Sequence, residues 1–215
     1  MSTSRLRRRG LLRLGATSLV AGSAPTMAGP LLPTVDQTTG PFYPDEIPLD
    51  DDNDLLWIAG HDQPATGTPT NVIGRIITVR GKPIEGARVE IWQCNAFGRY
   101  HHPRDRNDAP LDEHFQAFGR TMTDAEGRYR FRTIKPVPYP GRVPHIHFRV
   151  VTPDGGELAT QLYIAGHPSN AADGVFRRIE GETRRQGVQA AFRPNPDDSA
   201  ELLAEWDVVM AQETG

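Results

Sequence analysis

The residues most able to do chemistry lie in the middle of the chain. His145-Ile146-His147 opens an apolar run. Strand alternation places both imidazoles on one face and Ile146 and Phe148 on the other. Two such rings can converge on one metal, although the same spacing also serves structural histidine pairs. A cupin-type site would want a glutamate three or four residues later, where this chain has Val150 and Val151. Upstream, Tyr139 sits in Val137-Pro138-Tyr139-Pro140-Gly141-Arg142-Val143-Pro144, either as a packed loop residue or as an oxygen ligand. Tyr100 follows a strand and a glycine turn and is open to the same two readings. His101, His102 and His114 are further potential ligands, but they lie in a polar loop and are expected to be solvated. A zinc or copper centre built on His145 and His147 would leave both tyrosines unexplained.

These residues need a scaffold, and the pattern around them is that of short strands. Val72 to Val79 is the first, turning at Arg80-Gly81-Lys82-Pro83. Gly86 to Cys94 follows, with Ala87, Val89 and Ile91 opposite Arg88, Glu90 and Trp92. Asp124-Ala125-Glu126-Gly127 has Asp first and Gly last, as a type I turn prefers. Arg128 to Thr133, His145 to Thr152 and Leu158 to Ile164 complete the clear strands. Leu202 to Met210 fits a helical stripe or a closing strand. Such spacing predicts an all-β fold, an antiparallel β-sandwich of immunoglobulin or transthyretin type with long irregular loops. The run Asp50-Asp51-Asp52-Asn53-Asp54 lacks the glycine of a calcium loop and reads as a solvated acidic loop.

Composition agrees. Glycine and proline fill 40 of 215 positions, which disfavours a helical bundle. The single cysteine excludes a disulfide framework and a cysteine-based zinc cluster. Five of the 24 basic residues lie in residues 1–28, which contain no acid. The remainder carries 19 basic against 27 acidic residues, net −8, which argues against nucleic acid as a partner. No apolar run approaches the roughly 20 residues of a spanning helix. Residues 1–28 read as an export leader: Arg8-Arg9-Gly10-Leu11-Leu12-Arg13 resembles the twin-arginine signal, ahead of an apolar stretch and the small residues Thr26-Met27-Ala28. That implies handling by the twin-arginine translocase and a periplasmic or extracellular location. Residues 29–215 then form one catalytic domain.

The segments Trp92-Gln93-Cys94-Asn95-Ala96-Phe97-Gly98-Arg99-Tyr100, Tyr139-Pro140-Gly141-Arg142-Val143-Pro144-His145-Ile146-His147 and Thr160-Gln161-Leu162-Tyr163 together resemble the intradiol ring-cleavage dioxygenases. So does the opening Thr38-Thr39-Gly40-Pro41-Phe42-Tyr43-Pro44. The resemblance spans roughly residues 36–165. It implies a non-haem Fe(III) held by Tyr100, Tyr139, His145 and His147, with Tyr100 and His147 equatorial and Tyr139 and His145 axial. It makes Tyr139 a ligand that becomes a general base, places Arg142 beside the substrate ring, and assigns Gln161 as the active-site glutamine. The implied substrate is a catechol, cleaved with dioxygen between its hydroxylated carbons to a cis,cis-muconate. No organic cofactor is implied. A homo-oligomer is compatible with the sheet edges and loops.

Two departures from the family pattern bear on substrate. Only five residues separate Tyr139 from His145, and Gly141 stands where the protocatechuate enzymes carry a bulky aromatic, so a shorter and more open pocket wall is expected. The rival reading is a non-enzymatic transthyretin-like binding module. Residues 72–133 resemble one, but that pattern requires no tyrosine and histidine set.

Overall fold

Two five-stranded sheets face each other in the computed structural model, which describes residues 29–211. The export leader expected over residues 1–28 lies outside the described residues. The strands are β1 (Pro69–Thr78), β2 (Arg88–Trp92), β3 (Phe118–Met122), β4 (Arg128–Ile134), β5 (His145–Val151), β6 (Glu157–Ile164), β7 (Gln189–Ala190), β8 (Phe192–Pro194), β9 (Leu202–Glu205) and β10 (Val208–Met210). One sheet runs β10-β1-β9-β8 with β4 also paired to β1; the other runs β3-β2-β5-β6-β7. Described helix is confined to two 3-10 turns and the short α1 (Glu182–Gln186). The all-β architecture is as expected.

Period-two patterning builds the core. In β5, Ile146, Phe148 and Val150 are fully buried between the sheets. Val89 and Ile91 of β2 point the same way and meet Val72, Ile76 and Phe131 of the facing sheet. Each such side chain contributes about 1.5–3 kcal/mol on leaving water. The opposite faces of β2, β5 and β6 are thereby free to carry polar groups outward.

Two features differ from the sequence expectation, and one resolves an ambiguity it left open. The sheets are mixed: β9 and β10 both run parallel to β1, and β7 runs parallel to β6. The C-terminal segment is strand rather than helix. Ala204, Trp206, Val208 and Met210 are buried in alternation, and an extended chain alone puts every second residue on one face. Strand β3 carries no clear sequence signal because Gly119 interrupts its pattern. That glycine lies beneath the Asp52 carbonyl, where an added Cβ would come within 2.4 Å. The acidic loop is tied down by its own geometry: Asp50 accepts from the Ala59 N–H, Asp52 from the Asp54 N–H, and Asp54 pairs with Arg132. The expected turn at Asp124 forms, with the Gly127 N–H donating to the Asp124 carbonyl at 2.9 Å.

Candidate active site

The outer face of the second sheet gathers the residues singled out above. Register does the placing: Trp92 on β2 lies opposite His147 on β5, which lies opposite Gln161 on β6; one step along, His145 lies opposite Tyr163. The Trp92 indole stacks on His147 at 4.8 Å between centroids and an interplanar angle of 6°. Loops then roof this face, so that His145 and His147 are each only 1% exposed.

Two of those loops bring the tyrosines. Tyr100, buried, comes from the segment after β2, held by its N–H donating to the Asp105 carboxylate at 2.8 Å. Tyr139 comes from the Pro-rich loop before β5. Its carbonyl accepts from the Arg142 N–H at 2.9 Å across a tight turn in which Gly141 has φ +83°. That left-handed backbone suits glycine, and a Cβ there would meet nothing within 4 Å.

The four side chains meet. Tyr100 and Tyr139 rings pack edge to face at 5.2 Å, Tyr139 and His145 lie 5.5 Å apart, and the two imidazoles 4.8 Å apart. The Nε2 atoms of His145 and His147 stand 3.2 Å from each other. His145 Nδ1 lies 2.6 Å from the Val143 carbonyl, which makes it the N–H donor and leaves Nε2 with a bare lone pair. Burial, then the nearby Arg142 charge, lowers the His145 pKa to about 3; burial first, followed by His145 and Arg142, pushes His147 well below its ordinary value. Both rings are neutral, as metal ligation requires. The Tyr100 hydroxyl is buried and, despite lying against Tyr139, has no hydrogen-bond partner of acceptable geometry. Burial foremost, then the neighbouring Tyr139, raises its pKa well above the ordinary value. Burial also raises Tyr139, partly offset by Arg142.

An orphaned buried hydroxyl facing two neutral imidazoles with converging nitrogens is an arrangement a cation would satisfy. Among the described residues no group of three His, Cys, Asp or Glu side chains could hold a metal, so a metal here needs the phenols. Two phenols and two imidazoles are a donor set for a hard, highly charged ion, and such an ion makes phenolate accessible near neutral pH.

Arg142 and Gln161 join the same site. Arg142 Nη1 reaches the Tyr139 hydroxyl at 3.4 Å and Nη2 donates to Gln161 Oε1 at 2.5 Å. The chain thus brings Tyr100, Tyr139, His145, His147, Arg142 and Gln161 to one place. The other loop histidines stay apart from it, and His102 is not solvated as expected: it is buried, with Nε2 3.2 Å from the Tyr43 carbonyl. Its loop folds back because Arg104 N–H donates to His102 Nδ1. His61 and His114 pair with each other elsewhere, Nδ1 to Nδ1 at 3.1 Å.

Several neighbours had no reading of their own in the sequence. Phe42 stacks on Tyr100 at 4.5 Å, and Gly40, at φ +71°, lies so close to His147 that a Cβ would sit 3.2 Å from Cε1. Both belong to the Thr38–Pro44 motif, whose resemblance was the available signal. Tyr163, two residues after Gln161, donates to its Oε1 at 2.9 Å. Asp173, in a loop after β6, ion-pairs with Arg142 and had no local signal at all. A cavity of about 890 Å³ between the edges of β3 and β4, lined by Arg75, Met122, Arg128 and Tyr129 among others, contains none of the site residues.

The sequence model of a family described as dioxygenase matches residues 38–211, which include every residue of this site. The chain belongs to the intradiol ring-cleavage dioxygenase family. It is 38% identical over 194 residues to the protocatechuate 3,4-dioxygenase beta chain of Burkholderia cepacia, covering 84% of this chain and 82% of that one. It is 31% identical to a hydroxyquinol 1,2-dioxygenase of Corynebacterium glutamicum, of which it spans only 62%. Among solved structures, the dioxygenase domain of a dioxygenase and carbohydrate-binding fusion from Streptomyces sp. SirexAA-E superposes with a TM-score of 0.65 at 27% identity, over 84% of this chain and 99% of that one. The enzyme is therefore an oxidoreductase of this family, and the binding-module alternative falls.

Proposed function

We propose that this intradiol dioxygenase is a non-haem Fe(III) enzyme whose iron is held by Tyr100, Tyr139, His145 and His147. One observation carries the reading: two phenols and two neutral imidazoles converge under cover, with the Tyr100 hydroxyl buried and unpartnered. Bound there, Fe(III) would supply a Lewis-acidic centre that holds both oxygens of a catechol and makes its ring susceptible to dioxygen.

The chain's own groups do the rest. Tyr139 is the less buried phenol, at the rim, and as the phenolate that iron would hold, its oxygen is placed to take a catechol proton as general base. Tyr100 is locked by Phe42 and the Asp105 contact and stays a fixed donor. Arg142 Nη1 faces the same space as the Tyr139 hydroxyl, where negative charge grows as the ring is attacked. Gln161 fixes the guanidinium from the other side. The balanced reaction adds one dioxygen to a catechol, breaks the bond between its hydroxylated carbons, and yields a cis,cis-muconate-type diacid holding both oxygen atoms.

The twin-arginine-like residues 8–13 support export of the chain and a periplasmic or extracellular location. A homo-oligomer remains compatible with the free sheet edges.

The test is a visible absorption spectrum of the iron-loaded protein, before and after anaerobic addition of catechol. A tyrosinate-to-iron band that shifts with catechol, followed by oxygen uptake in air, is the expected result. A protein that stays colourless after iron loading overturns the ligand set.

A further inference from the structure

The guanidinium of Arg142 is the one cation the structure records in contact with the four ligand candidates among the described residues, and it is already spoken for. Its Nε donates to Asp173 Oδ2 at 2.7 Å, and Nη2 lies 3.5 Å from Asp173 Oδ1. The Asp173 side chain is fully buried. The remaining Nη2 capacity goes to Gln161 Oε1 and to the Tyr163 hydroxyl at 3.3 Å. That leaves Nη1 alone, pointing at the Tyr139 hydroxyl.

Asp173 itself is built in from all sides. It sits between two 3-10 turns, Asn170–Ala172 and Phe176–Arg178. Its Oδ1 accepts the N–H groups of Val175 and Phe176, both at 2.9 Å, and its Oδ2 accepts the Val143 N–H at 3.3 Å. Val143, Tyr163, Phe176, Ile179 and Val188 form a small apolar cluster that supports this loop. The carboxylate cannot turn away from Arg142 without breaking these bonds.

A carboxylate on a substrate ring is recognised by arginine through two parallel N–H bonds. Here the Nε and Nη2 edge is occupied by Asp173, and the Nη1 and Nη2 edge is broken because Nη2 is also committed to Gln161 and Tyr163.

Resting on the ring-cleavage reading above, we propose that Asp173 positions Arg142 and occupies its carboxylate-binding edge, leaving Nη1 for the reacting ring, and that the site consequently takes catechols without an anionic ring substituent.

The experiment is an anaerobic spectral titration of iron-loaded protein with catechol, 4-methylcatechol and 3,4-dihydroxybenzoate, the last two differing in charge at one ring position. Wild type is expected to bind the two uncharged rings at least about tenfold more tightly than the carboxylate. Asp173→Asn, which keeps the shape and an acceptor oxygen, is expected to close most of that gap. Its thermal unfolding reports whether the fold is intact. If wild type binds 3,4-dihydroxybenzoate as well as 4-methylcatechol, the substrate assignment is overturned, and that comparison stands even where the variant does not fold. If a folded Asp173→Asn weakens all three ligands equally, Asp173 only caps the turns and the positioning role is overturned. If the iron-loaded protein shows no spectral response to any catechol, the ring-cleavage reading itself fails, a result distinct from both.

Discussion

Tyr100→Phe gives the sharpest test of the site because its effect should change sign with the metal. The substitution removes one hydroxyl and keeps the ring. Phe42 stacking at 4.5 Å and the Tyr139 edge contact at 5.2 Å survive it. In the metal-free protein that hydroxyl is buried, with only the Tyr139 hydroxyl beside it and no hydrogen bond of good geometry. A buried polar group left unsatisfied costs about 1–3 kcal/mol, so removing it stabilises the metal-free fold. Taking the low end, about 1 kcal/mol raises the unfolding midpoint by about 2–4 °C in a domain of this size. In wild type, iron at a free concentration of about 100 times its dissociation constant adds about 2.7 kcal/mol. The variant lacks one ligand and loses most of that gain. Thermal unfolding of both proteins, with chelator and with iron, reads the four midpoints. A metal-free variant less stable than wild type, with an undiminished gain from iron, would refute the reasoning.

Further predictions follow from other contacts. Tyr129 donates to the Trp206 carbonyl at 2.6 Å in the core; Tyr129→Phe orphans that carbonyl and should cost about 1–3 kcal/mol in denaturant unfolding. Gly74→Ala would place a Cβ 1.8 Å from the same carbonyl, so loss of soluble protein or a midpoint drop well beyond that of Tyr129→Phe is expected. Gly40→Ala strains a φ of +71° and presses on His147, and should weaken iron retention measured by chelator competition while leaving the near-ultraviolet dichroism of the core intact. Glu201 is held below its ordinary pKa chiefly by its hydrogen bond with Arg132. Its folded pKa lies under its unfolded one, so its contribution is complete above about pH 4.5 and is lost as pH falls through the lowered value, at no more than about 1.4 kcal/mol per pH unit. Glu201→Gln should flatten that part of the acid unfolding curve; an unchanged slope counts against the ion pair.

Residue alternation was enough to assign the faces of the strands. Alternation in His145–Val151 sent Ile146, Phe148 and Val150 inward and the imidazoles outward, because a strand offers no other geometry. The sequence also marked Tyr100, Tyr139, Arg142 and Gln161, but only through a pattern spread over three segments; taken singly, each tyrosine was an ordinary loop residue. The C-terminal segment stayed ambiguous because its apolar residues satisfy both periods, and only pairing with β1 selected the strand. Strand β3 was hidden by a glycine whose reason, the Asp52 carbonyl above it, is a contact across 67 residues. Which groups share a wall depends on long-range packing. Cross-strand register set Trp92, His147 and Gln161 in a row, and loop packing carried Asp173 onto Arg142 from 31 residues away. Such pairings depend on how distant segments close on one another, and no local periodicity encodes that distance.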